Sequence, residues 1–149
     1  MRFLLIDHIE EIVPGQSARG WKNAAMSEDY FEWHFPERPI VPGMLVLEAC
    51  VQLAGWTEAA GSDFQHWILL DRVKAARYYA FAGPGDRIDL ALESVPCEDP
   101  ERRAFKAESS VGGERSAVIE FEGRVVSLGD LENTDRARRM FASLRGEIG

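Results

Sequence analysis

The sequence predicts an α+β fold in which an antiparallel sheet wraps around one long central helix. Three observations carry that prediction. Residues 44–60 read as a helix with apolar residues on every face for its first three turns, and a helix without a polar face has to be covered on all sides. Strand-like segments bounded by turn signals lie both before and after it. Strands are grouped rather than alternating with helices, which fits an α+β layout and not a parallel sheet.

The elements follow in order. Residues 2–13 are rich in Phe, Leu, Ile and Val and read as a first strand. Pro14-Gly15-Gln16 is a turn signal, and residues 17–25 return as the second arm of a hairpin. Residues 27–32 fit a short helical turn capped by Ser27. Residues 34–43 cannot be regular, because Pro36, Pro39 and Pro42 each fix their own φ and push the preceding residue toward extended backbone. The loop is therefore stiff. The buried helix follows, with Gly61 as its expected stop. Strands are predicted over residues 66–80, 87–95, 103–111 and 116–128, with turns at Pro84-Gly85-Asp86 and Gly112-Gly113. Met140, Phe141 and Leu144 stand at helical spacing in an Arg-rich final segment, read as an amphipathic helix over 133–146. The expected division is a sheet-and-helix domain over 1–128 and a helical tail over 129–149.

Composition bounds the function. The chain has 149 residues, 46% hydrophobic and 28% charged, the balance of one water-soluble domain. The apolar N-terminal run stops after four residues, too short for a signal-peptide core, so a cytoplasmic location is expected. With 17 Lys and Arg against 25 Asp and Glu, the net charge of −8 argues against nucleic acid as the main partner. No apolar run is long enough for a membrane span. Cys50 and Cys97 make no metal-like spacing, and no metal or other cofactor is expected. Cys50 reads as a small core residue.

Glu48 stands in the middle of the apolar helix. Burying a carboxylate is costly unless it is paired or protonated, and desolvation would suit it to proton donation near neutral pH. The rival expectation is that it caps a neighbouring loop, or that the helix is less buried than it looks. Gln52 is one turn on, on the same face, and Gly55 would leave that face open for a ligand or another chain. His34 enters the proline loop between Trp33 and Phe35. Imidazole is the side chain most often used as a general base, although a histidine among aromatics can also be purely structural. His8 and His66 lack such a setting. Pro42-Gly43 opens the helix, where backbone N–H groups have no intrahelical partner and can polarise a carbonyl oxygen.

The run His34-Phe35-Pro36-Glu37-Arg38-Pro39-Ile40-Val41-Pro42-Gly43-Met44-Leu45-Val46-Leu47-Glu48-Ala49-Cys50-Val51-Gln52 resembles the signature H-F-P-G-x-P-x-x-P-G-x-L-x-x-E-x-x-x-Q of the FabZ-type 3-hydroxyacyl-acyl-carrier-protein dehydratases. Weaker similarity extends over roughly residues 3–128, including Gly83-Pro84-Gly85-Asp86. The resemblance implies a hot-dog fold and a homodimer, often assembled further into a trimer of dimers. It implies dehydration of a (3R)-3-hydroxyacyl thioester on acyl carrier protein to the trans-2-enoyl thioester, in fatty-acid, lipid or polyketide synthesis. His34 of one subunit would meet Glu48 of the other. His34 would take the C2 proton, and Glu48, helped by Gln52, would handle the departing hydroxyl. The Gly43 N–H would hold the thioester carbonyl, with Phe35 and Pro42 beside the substrate. The related FabA enzymes, which also isomerise, place Asp where Glu48 stands, so Glu48 favours simple dehydration.

There are departures from the pattern. Glu37 replaces a usual glycine and adds charge near His34. The L-P-H-R motif has no counterpart, and Tyr78-Tyr79-Ala80-Phe81-Ala82 stands where the family often has a basic loop. These features point to a specialised relative. A hot-dog thioesterase and a non-catalytic acyl-binding subunit are the rival expectations. Arg38, Arg72, Lys74, Arg77, Arg136, Arg138 and Arg139 are candidates for docking an acidic carrier protein.

Overall fold

A computed structural model describes residues 3–147. Strands β1 (His8–Val13) and β2 (Ser17–Asn23) form the N-terminal hairpin. Helix α1 spans Gly43–Gly61. Strands β3 (His66–Tyr78), β4 (Arg87–Val95), β5 (Arg102–Val111) and β6 (Glu114–Ser127) follow, and helix α2 (Thr134–Leu144) ends the order. The strands make one sheet in the order β1-β2-β4-β5-β6-β3, antiparallel throughout. It curls around α1, the hot-dog arrangement. Leu53, Ala54, Thr57 and Ala59 of α1 are fully enclosed, as the absence of a polar face requires. Among the described residues, no helix is long and apolar enough to cross a membrane.

Four expectations need correction. The first strand begins at His8, not at the start of the chain; part of the expected segment, at residue 2, lies outside the described residues, as do residues 148 and 149 of the tail. Phe3 and Leu5 bond instead to the Gln52 side chain of α1, which occupies backbone groups that a strand would need. Ser27 caps nothing: the short 3-10 helix is Asp29–Glu32, its N-cap residue is Glu28, and no side chain caps it. Gly61 is the last residue of α1 rather than its left-handed stop. The left-handed turn falls on Asp63 (φ 51°) and Phe64 (φ 59°), which are uncommon there. Helix α2 holds them: Arg138 donates to the Asp63 carbonyl at 2.9 Å and lies 4.6 Å over the Phe64 ring, and Phe64 meets Phe141 edge-on at 5.5 Å.

The fourth correction concerns Gly55. Its face is closed, because the Trp67 ring fills the space a Cβ would take. Trp67 in turn stands edge-on to Trp56 with centroids 4.9 Å apart. Gly55→Ala is therefore an overpacking change, expected to cost about 1–3 kcal/mol and to lower the melting temperature by roughly 2–4 °C per kcal/mol. At Gly129 a Cβ would meet nothing nearer than the Ser127 Oγ at 3.8 Å. Thermal denaturation of Gly55→Ala beside Gly129→Ala checks this, and equal melting temperatures would contradict it.

Strand β3 ends the sheet with one side unpaired. Its 13 residues include Leu69, Leu70 and Val73, all exposed. A long edge with exposed apolar side chains is a template for pairing with another chain.

Candidate active site

The proline loop holds His34 by its backbone and its ring. The His34 carbonyl accepts from Ile40 N–H at 2.9 Å, and Phe35 and Arg38 exchange backbone hydrogen bonds at 3.2 and 3.0 Å. The His34 Nδ1 is 3.1 Å from the Ile40 carbonyl oxygen. A carbonyl can only accept, so in the neutral ring this contact assigns the proton to Nδ1 and the lone pair to Nε2. Phe35 stacks on the imidazole at 4.3 Å with a 23° tilt, which fixes the ring plane. Glu37 is exposed and does not border the cavity beside His34. Its φ is not positive, so the backbone there needs no glycine.

That cavity is about 340 Å³ and is walled by Ile40, Val41, Val46, Ala80, Phe81 and Ile88, with Phe35 and Gly43 also on its lining. Gly43 sits beneath Tyr78. A Cβ there would come within 2.9 Å of the phenol ring, and the Tyr78 hydroxyl donates to the Gly43 carbonyl at 2.8 Å. Burial, with the nearby Cys50 second, raises the Tyr78 pKa above its ordinary value, so the phenol stays a donor. Cys50 is itself buried, and its thiol is pushed up to about 12 by that burial, so it is an inert core residue. No side chain caps the N-terminus of α1. The Leu45 N–H bonds to the Pro42 carbonyl at 2.9 Å, so the earlier N–H groups and the positive dipole end are what a developing oxyanion could use.

Glu48 and Gln52 lie elsewhere. They border a second cavity of about 260 Å³, with Phe3, Leu4, Trp67 and Leu131. The separation follows from helical geometry: Val46 and Glu48 are two residues apart and so point about 160° apart around the axis. Glu48 is only half-buried, less than the sequence suggests. The more buried acid of α1 is Glu58, 7% exposed, which pairs with Arg103 (Oε2 to Nε 3.3 Å). The Gln52 amide is fully engaged. Its Nε2 donates to the Phe3 carbonyl at 2.8 Å and to Glu48 Oε1 at 3.1 Å, while its Oε1 accepts from Leu5 N–H at 3.0 Å. Gln52 thus orients the Glu48 carboxylate. Pro42 borders a third, open groove beside Tyr30 and Met44.

The structure therefore brings His34, Phe35 and Gly43 together and sets Glu48, Gln52 and Pro42 apart from them within one chain. Tyr78, the buttress of Gly43, escaped the sequence reading, because its only signal was an aromatic run in a strand end. Two docking candidates are already committed: Lys74 to Glu122 at 2.9 Å and Arg138 to Asp63 at 2.9 Å. Hydrogen bonding from Lys74 holds the Glu122 carboxyl below the ordinary range. Arg38 stays exposed, its guanidinium 6.0 Å over the Phe81 ring at the cavity lining.

A sheet rolled on one helix, with a braced histidine loop entering that helix's N-terminus, defines a hot-dog protein with a candidate site at the helix mouth. Residues 1–122 match the FabA-like domain, and the chain belongs to that family. The 3-hydroxyacyl-[acyl-carrier-protein] dehydratase FabZ of Clostridium novyi is 36% identical over 119 residues, covering 79% of this chain and 83% of that protein. Among solved structures, the dehydratase heterocomplex ApeI:P of Xenorhabdus doucetiae superposes with a TM-score of 0.61 at 16% identity, over 83% of this chain and 99% of that one. A hypothetical thioesterase with coenzyme A from Streptococcus pneumoniae superposes with a TM-score of 0.61 at 12% identity, over 80% and 85%. These two similarities concern the fold alone.

Proposed function

We infer that this protein is a 3-hydroxyacyl-acyl-carrier-protein dehydratase acting in fatty-acid, lipid or polyketide synthesis, and that His34 and Glu48 are its catalytic pair across a homodimer. The observation that carries the reading is the braced imidazole, with Nδ1 committed to Ile40 and Nε2 left as a base beside an apolar cavity that reaches the uncapped start of α1. A base at that point suits removal of the C2 proton. The electron pair forms the C2–C3 double bond, and the C3 hydroxyl leaves as water with a proton from Glu48. The Gly43 N–H stabilises the enolate-like thioester oxygen. Phe35 shields the reacting carbons, Pro42 sets the start of the helix, and Gln52 acts through Glu48.

The dimer supplies what one chain lacks. His34 and Glu48 lie in separate cavities, so a second copy has to complete the pair, and the free edge of β3 is where it would join. Acyl carrier protein would dock on positive charge near the cavity, with Arg38 the candidate beside it. A cytoplasmic location goes with this reading.

The test is hydration of a crotonyl thioester, followed by loss of enoyl absorbance, with a thiol reagent in parallel. Loss of absorbance without thiol release is the expected result. Thiol release from saturated acyl thioesters, with no hydration, would replace the reading with a thioesterase.

A further inference from the structure

The wall of the His34 cavity is apolar over most of its extent but carries a pair of hydroxyls. Ser109 of β5 and Ser116 of β6 lie side by side in it, Oγ to Oγ 2.7 Å, and are 2% and 5% exposed. A bulge brings them there. The β5–β6 register shifts between Ser109 and Ser110, so Ser116 is passed over in the pairing. Ser116 and Ala117 are then buried in succession, where a regular strand would turn one of them outward.

The two hydroxyls carry two protons. One bridges the pair. Neither Oγ makes a further hydrogen bond among the described residues: the other polar side chains of the cavity lining, His34 and Tyr78, bond to the carbonyls of Ile40 and Gly43, and the rest of the lining has no side-chain acceptor. Folded proteins keep few such buried donors without a partner. A hydrocarbon chain in this cavity would leave the second proton unmatched, whereas an acceptor oxygen would match it. No Lys or Arg lines the cavity, so a carboxylate, which needs a buried cation, is a poor occupant.

We propose that the Ser109–Ser116 pair selects acyl chains bearing an uncharged acceptor oxygen, such as a ketone, ester or ether, beyond the reacting carbons. This deepens the dehydratase reading and rests on it for the identity of the reacting end.

The test compares length-matched 3-hydroxyacyl thioesters with and without a distal keto oxygen. Wild type is expected to favour the oxygenated chain by about tenfold in kcat/KM, the worth of one good hydrogen bond. In the double variant Ser109→Ala/Ser116→Ala that ratio falls toward one. Removing both hydroxyls together leaves no orphan, so the fold is expected to survive, which a melting curve checks. Calorimetric binding of unreactive acyl thioether analogues gives the same ratio without turnover. No preference in wild type, or a preference that persists in the double variant, overturns the proposal. Lack of turnover on every chain, with the binding preference intact and dependent on the pair, removes the dehydratase reading and leaves the recognition site standing.

Discussion

Mixing two inactive variants, His34→Ala and Glu48→Gln, is expected to restore dehydration. In the proposed mechanism each substitution alone removes a proton-transfer group, and such groups contribute about 10²–10⁴-fold. Each homodimer should therefore fall to near background. In a mixed dimer assembled across subunits, one site receives both defects and the other receives none. Random reassortment of equal amounts makes about half the dimers mixed, each with one intact site of two, so about a quarter of wild-type activity should return. The geometry behind this is the placement of His34 and Glu48 in different cavities, on sides of α1 about 160° apart. Co-expression of differently tagged chains makes the measurement: the unfractionated mixture should show about a quarter of wild-type activity and the doubly purified mixed dimers about half. A doubly tagged dimer with no more activity than its two inactive parents would place both residues in one chain's site.

The second large effect lies at the sheet edge. Leu70→Lys with Val73→Lys should yield a folded monomer that has lost the dehydratase activity. Both side chains are exposed on the unpaired strand β3, and inward or edge lysines are the means by which natural sheets prevent strand addition. Their main-chain bonds to β6, where Leu70 stands opposite Gly123 and Val73 opposite Phe121, do not depend on the side chains. The fold should therefore hold. Sedimentation gives the mass, circular dichroism the fold, and enoyl thioester hydration the activity. A variant that stays dimeric would move the interface to another surface. A monomer with full activity would overturn the shared site.

Much of the fold was legible because its signals are local. The apolar helix, the alternating pattern of β4 and the glycine pair between β5 and β6 each act over a few residues. The proline loop was legible for the same reason, since each ring restricts only its own neighbourhood. What escaped depends on distant partners. Gly55 reads as open space until Trp67 is known to fill it. Glu48 reads as the buried acid of α1, whereas Glu58 is enclosed more fully because Arg103, 45 residues away, compensates its charge. The left-handed backbone at Asp63 and Phe64 is held by Arg138 from the far end of the chain. Ser27 fits a cap by residue type, yet the turn begins two residues later. At the site, the sequence named His34, Gly43 and Glu48, but only the family resemblance, and nothing in the residue pattern itself, set Glu48 on the other subunit from His34.

The Gln52 amide has a consequence for how the N-terminal segment should be regarded. Its Nε2 donates to both the Phe3 carbonyl and the Glu48 carboxylate, and its Oε1 accepts from the Leu5 N–H. The opening residues are thus wired to the acid through a single planar group that cannot turn without releasing one end. Changes made far from the chemistry, at the very start of the chain, would be felt as a misaimed proton rather than as a loosened fold.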